Sequence, residues 1–440
     1  MERRSLGFWM CTALVVGNMI GSGVFLLPAS LAPFGGISII GWLVTAAGAM
    51  MLALVFARLS RLVPKAGGPY AYTRYGFGDF AGFLVAWGYW ISIWAGNAAI
   101  AVAFAGYLGV FLPGLNGNAV LSAGTALAAI WFLTWINTRG VREAGVVQVV
   151  TTVLKLAPLA AVGILGLFYV RLENFTPFNL TGGSGFSAVT TTAAFTLWAF
   201  LGLESATIPA GEVRDPERTI PRSTIAGTLL AAVVYILGTV AVMGVIPPEI
   251  LAHSTAPFAD AASQMWGDWA AYAIAAGAVI SCFGALNGWI LLQGQLPMAA
   301  EADALFPGVF GRRGRRGTPV AGLVVSSLLI TILVGMNFTR SLVDLYSFII
   351  LLATFSTLVP YVFSTAAELL IYIREKERFD GRRMRGAAGI SILALLYSLW
   401  ALTGIGREAL IWGILLLMSG IPVFLLVRRS RESDDIRQSE

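Results

Sequence analysis

Apolar runs recur along this chain at lengths that suit a lipid bilayer and little else. A hydrocarbon core about 30 Å thick takes roughly 20 apolar residues per helical crossing. Twelve stretches meet that requirement: 6–27, 36–60, 80–108, 119–136, 144–169, 186–210, 222–246, 269–296, 319–337, 342–372, 387–404 and 408–427. Charge is correspondingly scarce. Only 12% of residues are charged against 57% hydrophobic, about half the charged fraction of a soluble chain. A soluble enzyme, a disulfide scaffold, a disordered chain and a nucleic-acid binder are all excluded. The expectation is an all-α integral membrane protein of twelve spans, forming one transmembrane unit over 1–440.

The net charge of +6 is explained by where the basic residues fall. Place the N-terminus in the cytoplasm, and every Lys and Arg except Arg171, Arg340, Arg407 and the mid-span Lys155 falls on the cytoplasmic side. That is the positive-inside pattern of an inner, cytoplasmic membrane protein. An even number of spans then returns the C-terminus to the same side. The basic stretch at 312–316 reads as a loop anchor facing anionic lipid. The opening "MERR", its apolar run and "PASLA" mimic a signal peptide. Removing them leaves an odd number of spans and spoils the charge asymmetry, so they are read as the first span. Segment 247–268 is amphipathic enough to lie over the extracellular mouth. Cys11 and Cys282 sit in apolar runs as small hydrophobes. With His253 alone in a loop, no metal site and no cofactor are expected.

Two spans carry sequences that do not suit a continuous helix. The first contains "GNMIGSGVFLLP", with Gly17, Asn18, Met19, Gly21, Ser22, Gly23 and Pro28. So many glycines weaken a helix, and unwound backbone in lipid survives only inside protein or beside a water-filled cavity. Gly17 and Gly21 also form a GxxxG packing pair, but packing leaves the tight Gly21-Ser22-Gly23 unexplained. The sixth span carries "LWAFLGLESATIPAG", with Trp198, Leu201, Gly202, Glu204, Ser205 and Pro209. Matching interruptions in two halves of a chain point to inverted repeats with a substrate site at the breaks. The half-helix opening at Ser22–Val24 offers free N–H groups and a positive dipole end to a carboxylate. Carbonyls around Leu201–Leu203 can take an ammonium.

Ionisable side chains within spans are costly and default to function. Glu204 follows the second break, as a proton carrier, a gate or one half of a static ion pair. Lys155 is mid-span and serves structure or coupling. Glu368, near the end of its span, is read as surface-directed. Most of the 13 tryptophans suit the membrane interface. Trp198 and Trp289 are mid-span beside glycines, where an aromatic can hold a cation.

The stretches "GNMIGSGVFLLPASLA" (17–32), "GWLVTAAGAM" (41–50), "GGPYAY" (67–72), "LWAFLGLESA" (197–206), "STAPF" (254–258), "TPVAGL" (318–323) and "LVPY" (358–361) resemble the amino acid–polyamine–organocation superfamily. The nearest likeness is to its basic amino acid/polyamine antiporters, which include arginine/agmatine and putrescine/ornithine exchangers. The resemblance implies twelve helices in a five-plus-five inverted repeat, with repeats over about 6–169 and 186–372 and two further helices at 387–427. It also implies a homodimer. In that family, residues matching Ser22, Gly23 and neighbouring backbone hold the substrate carboxylate. Those matching Asn97 and Ile100 contact its side chain. Trp198 corresponds to the outer gate, Trp289 to the floor, Tyr89, Glu204 and Tyr361 to the inner gate, and Tyr70 to a residue tied to pH response. Two positions depart from the pattern. Ala353 replaces a serine that holds guanidinium, and Lys155 resembles the lysine that stands in for sodium in proton-coupled relatives.

The leading expectation is sodium-independent exchange of cationic amino acids and amines by alternating access. Proton-coupled uptake of neutral or broad-range amino acids is the alternative, favoured by Lys155 and Ala353. A membrane-embedded enzyme lacks a convergent nucleophile, base or metal set. A channel lacks a continuous polar pore.

Overall fold

The computed structural model describes residues 6–63, 67–115, 117–139, 156–207, 213–314, 317–378 and 381–439. Among them the chain folds into helices, with no strand beyond a single bridge between Leu6 and Val213. In chain order the helices begin with α1 (Phe8–Met19), α2 (Gly23–Leu31), α3 (Ser38–Leu62), α4 (Pro69–Phe77), α5 (Asp79–Leu108) and α6 (Ala119–Thr138). Then come α7 (Leu156–Tyr169), α8 (Gly185–Leu197), α9 (Pro216–Val245), α10 (Pro248–Leu251), α11 (Pro257–Trp266) and α12 (Asp268–Ala302). The last are α13 (Val320–Asn337), α14 (Leu342–Arg374), α15 (Gly381–Thr403), α16 (Arg407–Met418) and α17 (Gly420–Ser439).

Nine helical stretches among the described residues are long and apolar enough to cross a membrane. The chain is a multi-pass membrane protein. These nine differ from the twelve apolar runs at three places. Phe8–Leu62 counts as one stretch, although it contains the interruption after Met19 and a sharp turn at Gly35, with φ 75°. The run at 144–169 is described only from Leu156, and Lys155 lies outside the described residues. The run at 186–210 loses α-helical form after Leu197.

Helices in lipid gain little from burying apolar surface against each other, so packing and polar contacts must hold them together. α5 and α14 form the buried centre. Around it, α5, α6, α12 and α13 are tied together by side chains that pair with one another. Trp90 Nε1 donates to Ser326 Oγ (2.9 Å), linking α5 to α13. Asn137 Nδ2 donates to Asn287 Oδ1 (2.9 Å), linking α6 to α12. Trp131 Nε1 donates to Thr331 Oγ1 (3.0 Å), linking α6 to α13. On the other side α3 packs on α9, α8 and α15, and α1 on α9.

The two ends of the bundle differ. One gathers polar ties between distant segments: Tyr70 to Asp303 (3.0 Å), Tyr75 to Glu375 (2.6 Å) and Arg374 to the Gly76 carbonyl (2.9 Å). At the other end, segment 247–268 forms α10 and α11, and α11 buries Phe258, Ala259, Ala261 and Ala262. Tyr107 seats α11 there. Its hydroxyl donates to the Phe25 carbonyl (2.8 Å) and accepts from the Phe258 amide (3.2 Å).

Glu368 corrects the reading from sequence: it is fully buried, not surface-directed. Arg58 of α3 grips it with two bonds, Nε to Oε1 (2.6 Å) and an amino group to Oε2 (3.0 Å). Tyr372 donates to Oε1 (2.9 Å) and Ser391 of α15 to Oε2 (2.5 Å). A carboxylate near a helix end turns inward when an arginine from another helix reaches it. Here that arginine is 310 residues away in the chain, so no local pattern reveals it. Removing one partner strands the other charge in the interior. Glu368→Ala is therefore expected to cost about 3 kcal/mol, read as a lower melting temperature of the purified protein. The double change Arg58→Met with Glu368→Leu is expected to recover most of that loss.

Candidate functional site

The first interruption opens because α1 ends at Ile20, with ψ 85°, and α2 restarts at Gly23. Its turn is tight: the Gly21 amide bonds to the Met19 carbonyl (3.0 Å). The opening amides of α2 lack intrahelical acceptors, as at every helix start. The second interruption follows α8. Trp198–Phe200 tightens to a 3-10 turn, Leu201 turns extended (ψ 134°), and a second 3-10 turn covers Ser205–Thr207. Gly202 has φ +100°, a conformation that side chains other than glycine rarely adopt.

The breaks touch. A Cβ on Gly23 would lie 3.1 Å from the Ala199 Cα and 3.3 Å from Trp198. A Cβ on Gly202 would lie 3.2 Å from Trp289 and 3.3 Å from the Asn18 Cβ. Between them sits a cavity of about 30 Å³, lined by Asn18, Met19, Gly21, Ser22 and Gly23 from the first break and Trp198, Leu201 and Glu204 from the second. α5 adds Tyr89, Ser92, Ile93, Gly96 and Ile100, α12 adds Trp289, and α14 adds Thr357. A space of this size takes water but not an amino acid. An amino acid would fit here only if the wall parted.

Two tryptophans close it. Trp198 lies against Gly96, and its Nε1 donates to the Tyr346 hydroxyl (3.2 Å). Trp289 donates to the Asn18 carbonyl (3.3 Å) at the end of α1. Glu204 is fully buried, with Oε1 accepting from Tyr89 (2.6 Å) and Oε2 from Tyr361 (2.9 Å). No salt bridge to it forms among the described residues. Tyr89 and Ile93 also line a second cavity, of about 200 Å³, with Gly67, Tyr70 and the end of α12. The two spaces share Tyr89 and Ile93, and the second is also lined by Tyr70, which donates to Asp303. Burial first, and the Asp303 carboxylate second, push the Tyr70 phenol above its usual pKa, so it remains a donor.

Most site residues expected from the sequence converge on this cavity; Tyr70, which lines the second cavity, Tyr361, Asn97 and Ala353 do not line it, and Lys155 lies outside the described residues. Tyr361 reaches it only through Glu204. Asn97 and Ala353 are fully buried beside it. Asn97 turns its amide toward α12, donating to Gln293 (2.7 Å). The sequence reading missed Ser92, Ile93, Gly96 and Thr357. The first three share a helical face with Tyr89 and Ile100, a periodicity that could have found them. Thr357 lies one turn beyond Ala353.

A fold of membrane-crossing helices around two facing interruptions, with a small cavity at their meeting, defines a membrane transport protein. The amino acid permease family model matches residues 6–421. The chain is 34% identical to the putrescine transporter PotE of Escherichia coli strain K12, across 97% of each chain. It is 35% identical to the cadaverine/lysine antiporter of the same organism, across 91% of this chain and 90% of that one. The chain belongs to the amino acid permease family.

The close approach at Gly23 yields a direct test. Its nearest neighbour is backbone, which cannot swing aside as a side chain can. Gly23→Val is expected to lower transport at least tenfold and stability by about 1–3 kcal/mol. Flux and melting temperature of reconstituted protein measure the two effects, and a variant with full flux contradicts the geometry.

Proposed function

We propose that this chain exchanges cationic amino acids for amines of the same kind, with ornithine/putrescine and arginine/agmatine as the candidate pairs, by alternating access without sodium. The observation that carries the reading is Glu204. A buried carboxylate in a membrane protein demands a positive partner or a proton. Its two phenol donors come from α5 and α14, and its position on the cavity wall leaves the charge to be met by what enters. The opening amides of α2 face a substrate carboxylate, and Trp198 and Trp289 offer ring faces to an ammonium or guanidinium. Two relatives named for diamine or lysine transport agree with this class.

In the proposed architecture the chain is one unit of twelve spans, two five-helix repeats plus two closing helices. It is a homodimer in the cytoplasmic membrane with both termini inside. Lys155 serves as a fixed cation between the first and fifth spans. Tyr89, Glu204 and Tyr361 gate the inner side, Tyr70 lies on that path, and Trp198 gates the outer side.

Counterflow tests it. Proteoliposomes loaded with putrescine are expected to take up labelled ornithine, and empty vesicles are not. Uptake into empty vesicles driven by a pH gradient contradicts exchange and supports proton coupling. Glu204→Gln is expected to reduce cation exchange at least tenfold, because the amide removes the charge.

A further inference from the structure

Beside the cavity, a line of hydrogen bonds runs from α6 through α13 and α12 to α5, and the carbonyls along it set its direction. It starts at carbonyls, which only accept. The Ile130 carbonyl takes the proton of Thr134 (2.7 Å). Thr134 Oγ1 and Ser327 Oγ lie 2.7 Å apart; with the Thr134 proton on Ile130, Ser327 donates to Thr134. Ser327 Oγ therefore accepts from Gln293 Nε2 (3.1 Å), which also donates to the Leu323 carbonyl (3.3 Å). Turning the Gln293 amide over would set its oxygen against that carbonyl. Gln293 Oε1 must then face α5, where it accepts from Asn97 Nδ2 at 2.7 Å. Asn97 is held in turn, since an oxygen in that place would meet Gln293 Oε1 at repulsive distance.

The consequence falls on the other half of the Asn97 amide. Asn97 is fully buried, and its Oδ1 has no hydrogen-bond partner. A buried, unpaired acceptor is costly and calls for a donor. Its helix neighbours Gly96 and Ile100 line the cavity, and Gln293 lies one turn beyond Trp289, which also lines it. We infer that Gln293 is a positioning residue for substrate selection: it fixes Asn97, behind the cavity wall, with the carbonyl oxygen free, so that this oxygen takes an N–H donor of the substrate side chain once the wall parts. The inference rests on the exchanger reading above and adds to it the device that distinguishes a side-chain amine from an alkyl group. Gln293 does not touch the substrate itself.

Ornithine and norvaline form the probe pair, because they share a five-carbon amino acid skeleton and differ by the terminal amine. Binding of each to purified protein is measured for wild type, Gln293→Met, Asn97→Ala and the double variant. Ser327→Ala is the milder companion, leaving Gln293 held by the Leu323 carbonyl alone. Gln293→Met is expected to weaken ornithine about tenfold and to leave norvaline within about twofold. In the Asn97→Ala background the same change is expected to shift neither ligand further, because the pair acts as a unit. Ser327→Ala is expected to shift ornithine in the same direction by less. Equal weakening of both ligands by Gln293→Met, or an undiminished effect without Asn97, reduces Gln293 to a structural role and overturns the inference. If Gln293→Met does not fold, an unchanged ornithine preference in Ser327→Ala overturns it. A wild-type protein with no preference for ornithine overturns the cation-exchange reading and this inference together. A wild-type preference that Gln293→Met leaves undiminished overturns the inference alone.

Discussion

Every backbone amide and carbonyl within a bilayer must find a partner inside the protein, and the structure is organised around two places where the helix stops supplying one. A helix meets the requirement automatically, and an interruption breaks it. The breaks after Met19 and after Leu197 are tolerated because protein surrounds them. Gly23 packs directly on Ala199, Gly202 on Trp289 and Asn18. What results is a polar spot in an apolar medium. In the proposed reading, the same defect that costs stability supplies a helix start for a carboxylate and a wall for a charged amine.

The remaining helices divide the labour. α5, α6, α12 and α13 are joined by side-chain hydrogen bonds at Trp90–Ser326, Asn137–Asn287, Trp131–Thr331 and Asn97–Gln293. The Asn97 and Asn137 Oδ1 atoms stay unpaired, while such bonds stiffen the helices they join. They hold one wall of the cavity in place while the interrupted helices opposite rest on glycine contacts and turns. Glu204 joins the two sides through Tyr89 and Tyr361. A ligand that draws the carboxylate away from either phenol therefore changes how the second break sits against α5 and α14.

Much of this was legible in the residues. The apolar runs revealed the membrane, and the glycine clusters at 17–23 and 202 revealed the breaks, because both signals are local. Glu204 was legible because a lone carboxylate in such a run is conspicuous. The pairings were not. Arg58 and Glu368 are joined across 310 residues of chain, and Glu368 read as a surface group until its partner was seen. Asn97 shows the same limit. The family resemblance marked it as a contact for the substrate side chain, but which face of its amide is free depends on Gln293 and Ser327 in two other helices. Spacing reports which face of a helix a residue occupies, and it does not report what waits there.

The central claim is that the space between the two breaks opens to admit substrate, although at rest it holds little more than water. Cysteine labelling at Ser22 measures this most directly. In a variant carrying Ser22→Cys with Cys11 and Cys282 replaced by alanine, a small water-soluble thiol reagent is expected to react slowly. Saturating ornithine is expected to suppress that reaction. A thiol that never reacts under transport conditions, or one whose rate ornithine leaves unchanged, contradicts the account.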